Sequence, residues 1–133
     1  MGRVTLVGAG CGSYDLLTIR GRAMVQEADC ILYDALIDPR ILSFASPSCE
    51  QIAVGKRNGH ALMSQDQINA LLLQKAGEHA HVVRLKGGDP FVLGRGGEEA
   101  LFLRRHGVDV TFVPGISSAI AALEAAGIPP THR

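Results

Sequence analysis

His81-Val82-Val83-Arg84-Leu85-Lys86-Gly87-Gly88-Asp89-Pro90-Phe91-Val92-Leu93-Gly94-Arg95-Gly96-Gly97-Glu98-Glu99 runs from a strand-like segment into a loop holding five glycines and ends on a glutamate pair. Strand, bare-backbone loop and helix start follow one another within it. Glycine lets a ligand approach the main chain and tolerates positive φ, and Pro90 biases Asp89 toward an extended conformation at a turn. The same residues are ordinary turn formers, so the segment alone leaves a structural and a ligand-binding reading open.

Working outward, four more β-like runs appear: Val4 to Val7, Cys30 to Tyr33, Gln51 to Val54 and Val110 to Val113, beside Val82 to Leu85. Helical patterns lie between and after them, at Thr18 to Glu27, Pro39 to Phe44, Ser64 to Glu78, Gly97 to His106 and Ser117 to Ala126. Ser64 and Gln67 form a capping-box pattern ahead of Ile68, Leu71 and Leu72, and Gly107 and Gly127 stand where helices stop. This alternation predicts an α/β fold: an open, mainly parallel five-stranded sheet with helices on both faces. In such sheets ligands bind beyond the carboxyl ends of the strands. The loops leaving those ends are Gly8-Ala9-Gly10-Cys11-Gly12, Asp34-Ala35, Gly55-Lys56-Arg57, Lys86-Gly87-Gly88-Asp89 and Pro114-Gly115-Ile116-Ser117-Ser118. Each carries glycine or charge, a convergence that turn chemistry alone does not require.

The chain has 133 residues, enough for one domain with a buried core. Thirteen basic residues balance thirteen acidic ones, which argues against a general nucleic-acid binder but allows a local cationic patch. Three cysteines, Cys11, Cys30 and Cys49, are odd in number and far apart. Neither a disulfide framework nor a metal pair is indicated, and a reduced, cytoplasmic setting is expected, with no metal. No apolar run approaches membrane-spanning length, so no anchor, signal peptide or membrane partner is expected.

The first loop approaches a dinucleotide fingerprint, with Asp34 near where a ribose-binding acid would stand. The spacing is imperfect: Gly12 comes one residue early, and Ser13 to Leu17 intervenes before a cap at Thr18. An NAD-dependent oxidoreductase domain is therefore one alternative. A fragment that keeps the motifs without activity is another.

Taken together, Val7-Gly8-Ala9-Gly10-x-Gly12, Asp15-Leu16-Leu17-Thr18, Tyr33-Asp34, Val54-Gly55-Lys56-Arg57, Arg84 to Glu99, Val113 to Ser118 and Gly127 to Arg133 resemble the tetrapyrrole methylases. The Gly-Lys-Arg and Arg-Leu-Lys-Gly-Gly-Asp-Pro-Phe blocks are most like those of members acting on uroporphyrinogen III. The resemblance spans essentially the whole chain. It implies S-adenosylmethionine-dependent C-methylation of uroporphyrinogen III to precorrin-2, in a cleft between two α/β domains. Residues 1–133 would be the N-terminal domain, binding cofactor and substrate, with the C-terminal domain missing and a homodimer expected at full length. The isolated chain is expected to bind S-adenosylmethionine weakly and to transfer methyl groups poorly.

By that resemblance, Cys11, Gly87, Gly88, Asp89, Val92, Ser117 and Ser118 contact the cofactor. Asp34 matches a proton acceptor and Lys56 a proton donor, while Arg95, Glu98 and Arg133 match substrate-binding positions. The substrate is a polycarboxylate, for which arginine forks at Arg57, Arg95 and Arg133 are suited. Simpler roles stand beside these: capping for Asp34, Ser117 and Ser118, solvation for Lys56, and helix-dipole compensation for Glu98 and Glu99. The chain departs from the family's usual Gly-Ala-Gly-Pro-Gly-Asp at Cys11 and Ser13. Loss of the proline frees φ in the loop and sets a thiol near the methyl donor.

Overall fold

The computed structural model describes residues 1–55 and 63–133. Strands β1 (Arg3–Gly8), β2 (Cys30–Tyr33), β3 (Glu50–Ala53), β4 (His81–Lys86) and β5 (Val110–Val113) form one sheet in the order β3-β2-β4-β1-β5. Every pairing is parallel, so all the carboxyl ends lie along one edge. The expected fold class is the observed one, with no antiparallel strand in this sheet.

Side-chain alternation along the strands divides the core into two layers. On one face Val4, Leu6, Leu32 and Val82 pack against Ile68, Leu72 and Ala76 of α2 (Gln65–Glu78) and Ala100 and Leu103 of α3 (Gly96–Arg105). On the other, Val7, Ile31, Val83 and Leu85 meet Val25 of α1 (Ile19–Glu27) and Ile41. Leu6, Leu32, Leu72 and Leu103 are fully buried, each worth about 1.5–3 kcal/mol against exposure. Arg84 and Lys86 alternate onto the α2/α3 face, two residues and four residues on from Val82. They are the charged positions of an otherwise apolar strand face.

Local signals hold at most boundaries. Thr18 caps α1 by accepting from the Gly21 amide at 2.9 Å, and Ser64 and Gln67 complete a reciprocal capping box at the start of α2. Gly107 and Gly127 adopt φ of +79° and +71° just past α3 and α4 (Ser118–Ala125). Two elements differ from expectation. Pro39–Phe44 is a 3-10 helix, because Asp38 caps a six-residue segment that closes through i→i+3 bonds such as Ile41 to Asp38 and is followed by Pro47. A further 3-10 turn, Tyr14–Leu16, precedes α1.

Candidate functional site

Four loops at the carboxyl edge are bound to one another, by a main-chain bridge and by two aspartate side chains that accept from main-chain amides. Gly10 and Gly88 form an antiparallel bridge, with N–H···O distances of 3.2 and 2.8 Å, joining the loops after β1 and β4. The Asp34 carboxylate, at the end of β2, accepts from the Gly87 amide at 3.2 Å. Asp89 accepts from the Phe91 amide at 2.9 Å and, through its other oxygen, from the Gly115 amide at 3.0 Å, fastening the β4 loop to the β5 loop. Close approach requires glycine here: a Cβ on Gly115 would overlap the Gly88 carbonyl oxygen and lie 2.7 Å from Gly8 Cα. Gly88 itself holds φ at +64°. At Gly87, by contrast, a Cβ would meet nothing within 4 Å, so its main chain borders open space.

Beneath this rim lies a buried charge network that the sequence reading did not isolate. Arg84 contacts Asp34 Oδ1 at 2.7 Å through its terminal nitrogen and Glu99 Oε1 at 3.3 Å through Nε. Its remaining nitrogen donates to the carbonyls of Leu32 and Leu85 at 3.5 and 3.3 Å. Lys86 Nζ reaches the same Glu99 oxygen at 2.9 Å, and Gln65 Nε2 donates to it at 3.3 Å. Arg84, Lys86 and Glu99 are essentially solvent-free, whereas the Asp34 side chain is 34% exposed. Two cations and two anions therefore form a neutral quartet with one member at the surface. Burial and the nearby Arg84 guanidinium pull the Lys86 ammonium below its usual pKa, although Glu99 opposes this. The signal in the sequence was an Arg-x-Lys pair on one face of an apolar strand, with a glutamate in the next helix start.

Of the residues assigned by resemblance, the structure gathers Asp34, Gly87, Gly88, Asp89 and Ser117 onto the carboxyl edge. Cys11 adjoins the Gly10 bridge, and Val92 is exposed one turn beyond Asp89, its amide bonded to the Asp89 carbonyl at 3.2 Å. Ser117 serves as the N-cap of α4 by accepting from the Ala119 amide at 3.2 Å, and Ser118 is that helix's first, exposed residue. Asp89 directs both oxygens to main-chain amides, leaving Gly87 as the open stretch of backbone in this turn. Arg95 and Glu98 form an exposed pair at 3.8 Å at the start of α3, and Arg95 holds φ of +56°. Arg133 is exposed at the end of the chain. Lys56 and Arg57 lie outside the described residues.

At the opposite edge, the Cys30, Glu50 and His79 ligand atoms lie within 4.8 Å of one another. Lys75 already binds Glu50 at 3.0 Å, and burial pushes the Cys30 thiol up to about 12, so the cluster is an ion-pair knot around a protonated thiol. Cys49 is also raised by burial. Titration of the native chain with a thiol reagent at neutral pH is expected to leave Cys30 unmodified, with Cys11 and Cys49 accessible; denaturant should release the third thiol. Three equivalents consumed at one rate by native protein would contradict this assignment.

An all-parallel sheet whose loops after β1, β2, β4 and β5 are fastened into one glycine-lined rim defines a ligand-binding α/β domain with its site at the carboxyl edge. The dinucleotide variant does not match, since no helix opens in the first glycine loop and α1 begins only at Ile19. The chain belongs to the Tetrapyrrole (Corrin/Porphyrin) Methylases, whose family profile matches residues 3–133. It is 53% identical over 132 residues to a uroporphyrinogen-III C-methyltransferase of Methanocaldococcus jannaschii, covering 99% of this chain and 54% of that protein. A siroheme synthase of Azotobacter vinelandii is 50% identical over 133 residues, 29% of its length. A uroporphyrin-III C-methyl transferase from Thermus thermophilus, solved in complex with S-adenyl homocysteine, superimposes with a TM-score of 0.82 at 52% identity, over 99% of this chain and 54% of that one. The chain thus spans about half the length, or less, of the relatives it matches. No helix among the described residues is long and apolar enough to cross a membrane.

Proposed function

We propose that this domain is the cofactor-binding and substrate-binding part of an S-adenosylmethionine-dependent methyltransferase that converts uroporphyrinogen III to precorrin-2. The observation that carries the reading is the fastened rim: open main chain at Gly87 beside the partly exposed carboxylate of Asp34. The rim suits a ligand bound through backbone groups, and the relatives' names supply the chemistry. In this reaction an electron pair of a pyrrole carbon forms a bond to the sulfonium methyl, the carbon–sulfur pair returns to sulfur, and the ring system then loses a proton.

Cys11, Gly87, Gly88, Asp89, Val92, Ser117 and Ser118 are the cofactor-side residues in this proposal. Asp89 contributes by holding the β4 and β5 loops together, and Ser117 by capping α4 beside them. Asp34 accepts the released proton and Lys56 donates one. Arg95, Glu98 and Arg133 engage the substrate's carboxylates and ring. Positioning of the reactants supplies roughly 7–11 kcal/mol of the barrier reduction, more than acid–base help of ~10²–10⁴-fold. Asp34→Asn should therefore slow methyl transfer within that range and leave S-adenosylhomocysteine binding intact. The working enzyme pairs this domain with a second one of similar length, as a cytoplasmic homodimer, and the domain alone is weakly active.

Calorimetry with S-adenosylhomocysteine and with NAD tests the cofactor. Saturable binding of the former is expected for the longer protein. Saturable binding of NAD alone would overturn the reading in favour of an oxidoreductase.

A further inference from the structure

We propose that Arg84 is a positioning residue for Asp34, and that Glu99 is the anchor from which Arg84 does this. The inference rests on the reading of Asp34 as the proton acceptor. A carboxylate at the end of a four-residue strand has two rotatable bonds, and nothing in β2 itself fixes its aim. Two contacts do so: the Gly87 amide on Oδ2 at 3.2 Å and the Arg84 guanidinium on Oδ1 at 2.7 Å.

Arg84 is itself immobilised. It sits mid-sheet, paired in register with Leu6 on one side and Leu32 on the other, and all three of its side-chain nitrogens are engaged. The planar fork delivers one nitrogen to Glu99 and another to Asp34, a division that a lysine ammonium cannot reproduce. Glu99 lies in the first turn of α3, buried, and its Oε1 gathers Arg84, Lys86 and Gln65. Its Oε2 has no hydrogen-bond partner among the described residues, so its anchoring rests on that single oxygen. Lys86 completes the quartet, whose three buried members carry one excess positive charge that Asp34 offsets from the surface. The aim of the reactive carboxylate is thus set from the sheet interior, by a helix whose N-cap is Arg95 and whose first turn carries Glu98, both proposed substrate residues.

The test is a mutant cycle on methyl transfer in a protein of the relatives' length carrying this domain. Arg84→Lys keeps the charge and removes the fork. It is expected to lower kcat by about 10²-fold while KM and S-adenosylhomocysteine affinity stay within about twofold. Introduced on top of Asp34→Asn, the same change should produce no further loss, because its effect passes through Asp34. Should Arg84→Lys fail to fold, Arg84→Met with Glu99→Gln keeps the quartet's net charge and leaves Lys86 an amide oxygen. That pair is expected to show the same dependence on Asp34. Losses that multiply with Asp34→Asn in either form would overturn the inference and leave the function standing. Full turnover by Asp34→Asn alone would overturn both.

Discussion

Glu99→Ala is expected to lower the unfolding free energy by about 3–5 kcal/mol, the range for removing one partner of a buried ion pair. The size follows from what is left behind. Glu99 is fully buried and meets Arg84 at 3.3 Å and Lys86 at 2.9 Å, both also buried. Its removal strands two cations inside the α2/α3 layer with Asp34, at the surface, as their remaining partner. Lys86, already pulled below its ordinary pKa by burial, is pulled further down once Glu99, which opposes that shift, is gone. Urea unfolding should show a lower midpoint with an unchanged slope, since the same surface is exposed. The loss should persist in high salt, because buried pairs are screened little. A loss of under ~1 kcal/mol, as for exposed pairs, would mean that water reaches the network.

Gly115→Ala is the second large effect, and it reaches the ligand as well as the fold. A Cβ at this position meets the Gly88 carbonyl oxygen, Gly8 Cα at 2.7 Å and the Gly8 carbonyl carbon at 2.8 Å, all main-chain atoms with no rotamer to yield. Overpacking of this kind typically costs about 1–3 kcal/mol. Relief requires the β5 loop to move away from the β1 and β4 loops. That motion stretches the Asp89 bond to the Gly115 amide and shifts Ser117. S-adenosylhomocysteine affinity is expected to fall about tenfold or more, equivalent to ~1.4 kcal/mol of lost contact. Gly97→Ala is the matched control, since a Cβ there meets nothing within 4 Å. Equal affinities for the Gly115 and Gly97 variants would remove the rim from the binding account.

Much of the fold was legible because local and global signals agree. The β-like runs at Val4, Cys30, Gln51, Val82 and Val110 became β1 to β5 with ends unchanged or shifted by one residue, and the Ser64–Gln67 pattern became a capping box. Pro39 to Phe44 read as helix because its apolar spacing is the same for a 3-10 segment, whose type depends on closure of the turn. The glycine loops were recognisable by composition, but their mutual bonds were not. Gly10 meets Gly88, and Asp89 meets Gly115, across separations that no short-range pattern encodes. Glu99 was the least legible. A glutamate in a first helical turn fits dipole compensation, and only the register of β4 against α3 turns its side chain inward to Arg84 and Lys86.

Fastening by main-chain groups bears on how such a domain diversifies. The Gly10–Gly88 bridge needs backbone atoms alone, and the Gly8–Gly88–Gly115 contact needs the absence of side chains. Outward positions such as Cys11 and Val92 take no side-chain part in either. Drift at those positions can retune which molecule is accepted without loosening the frame, so new specificities become reachable by single steps through folded intermediates. The price is rigidity of a different sort: lineages built on this rim have few substitutions open to them at the glycines themselves.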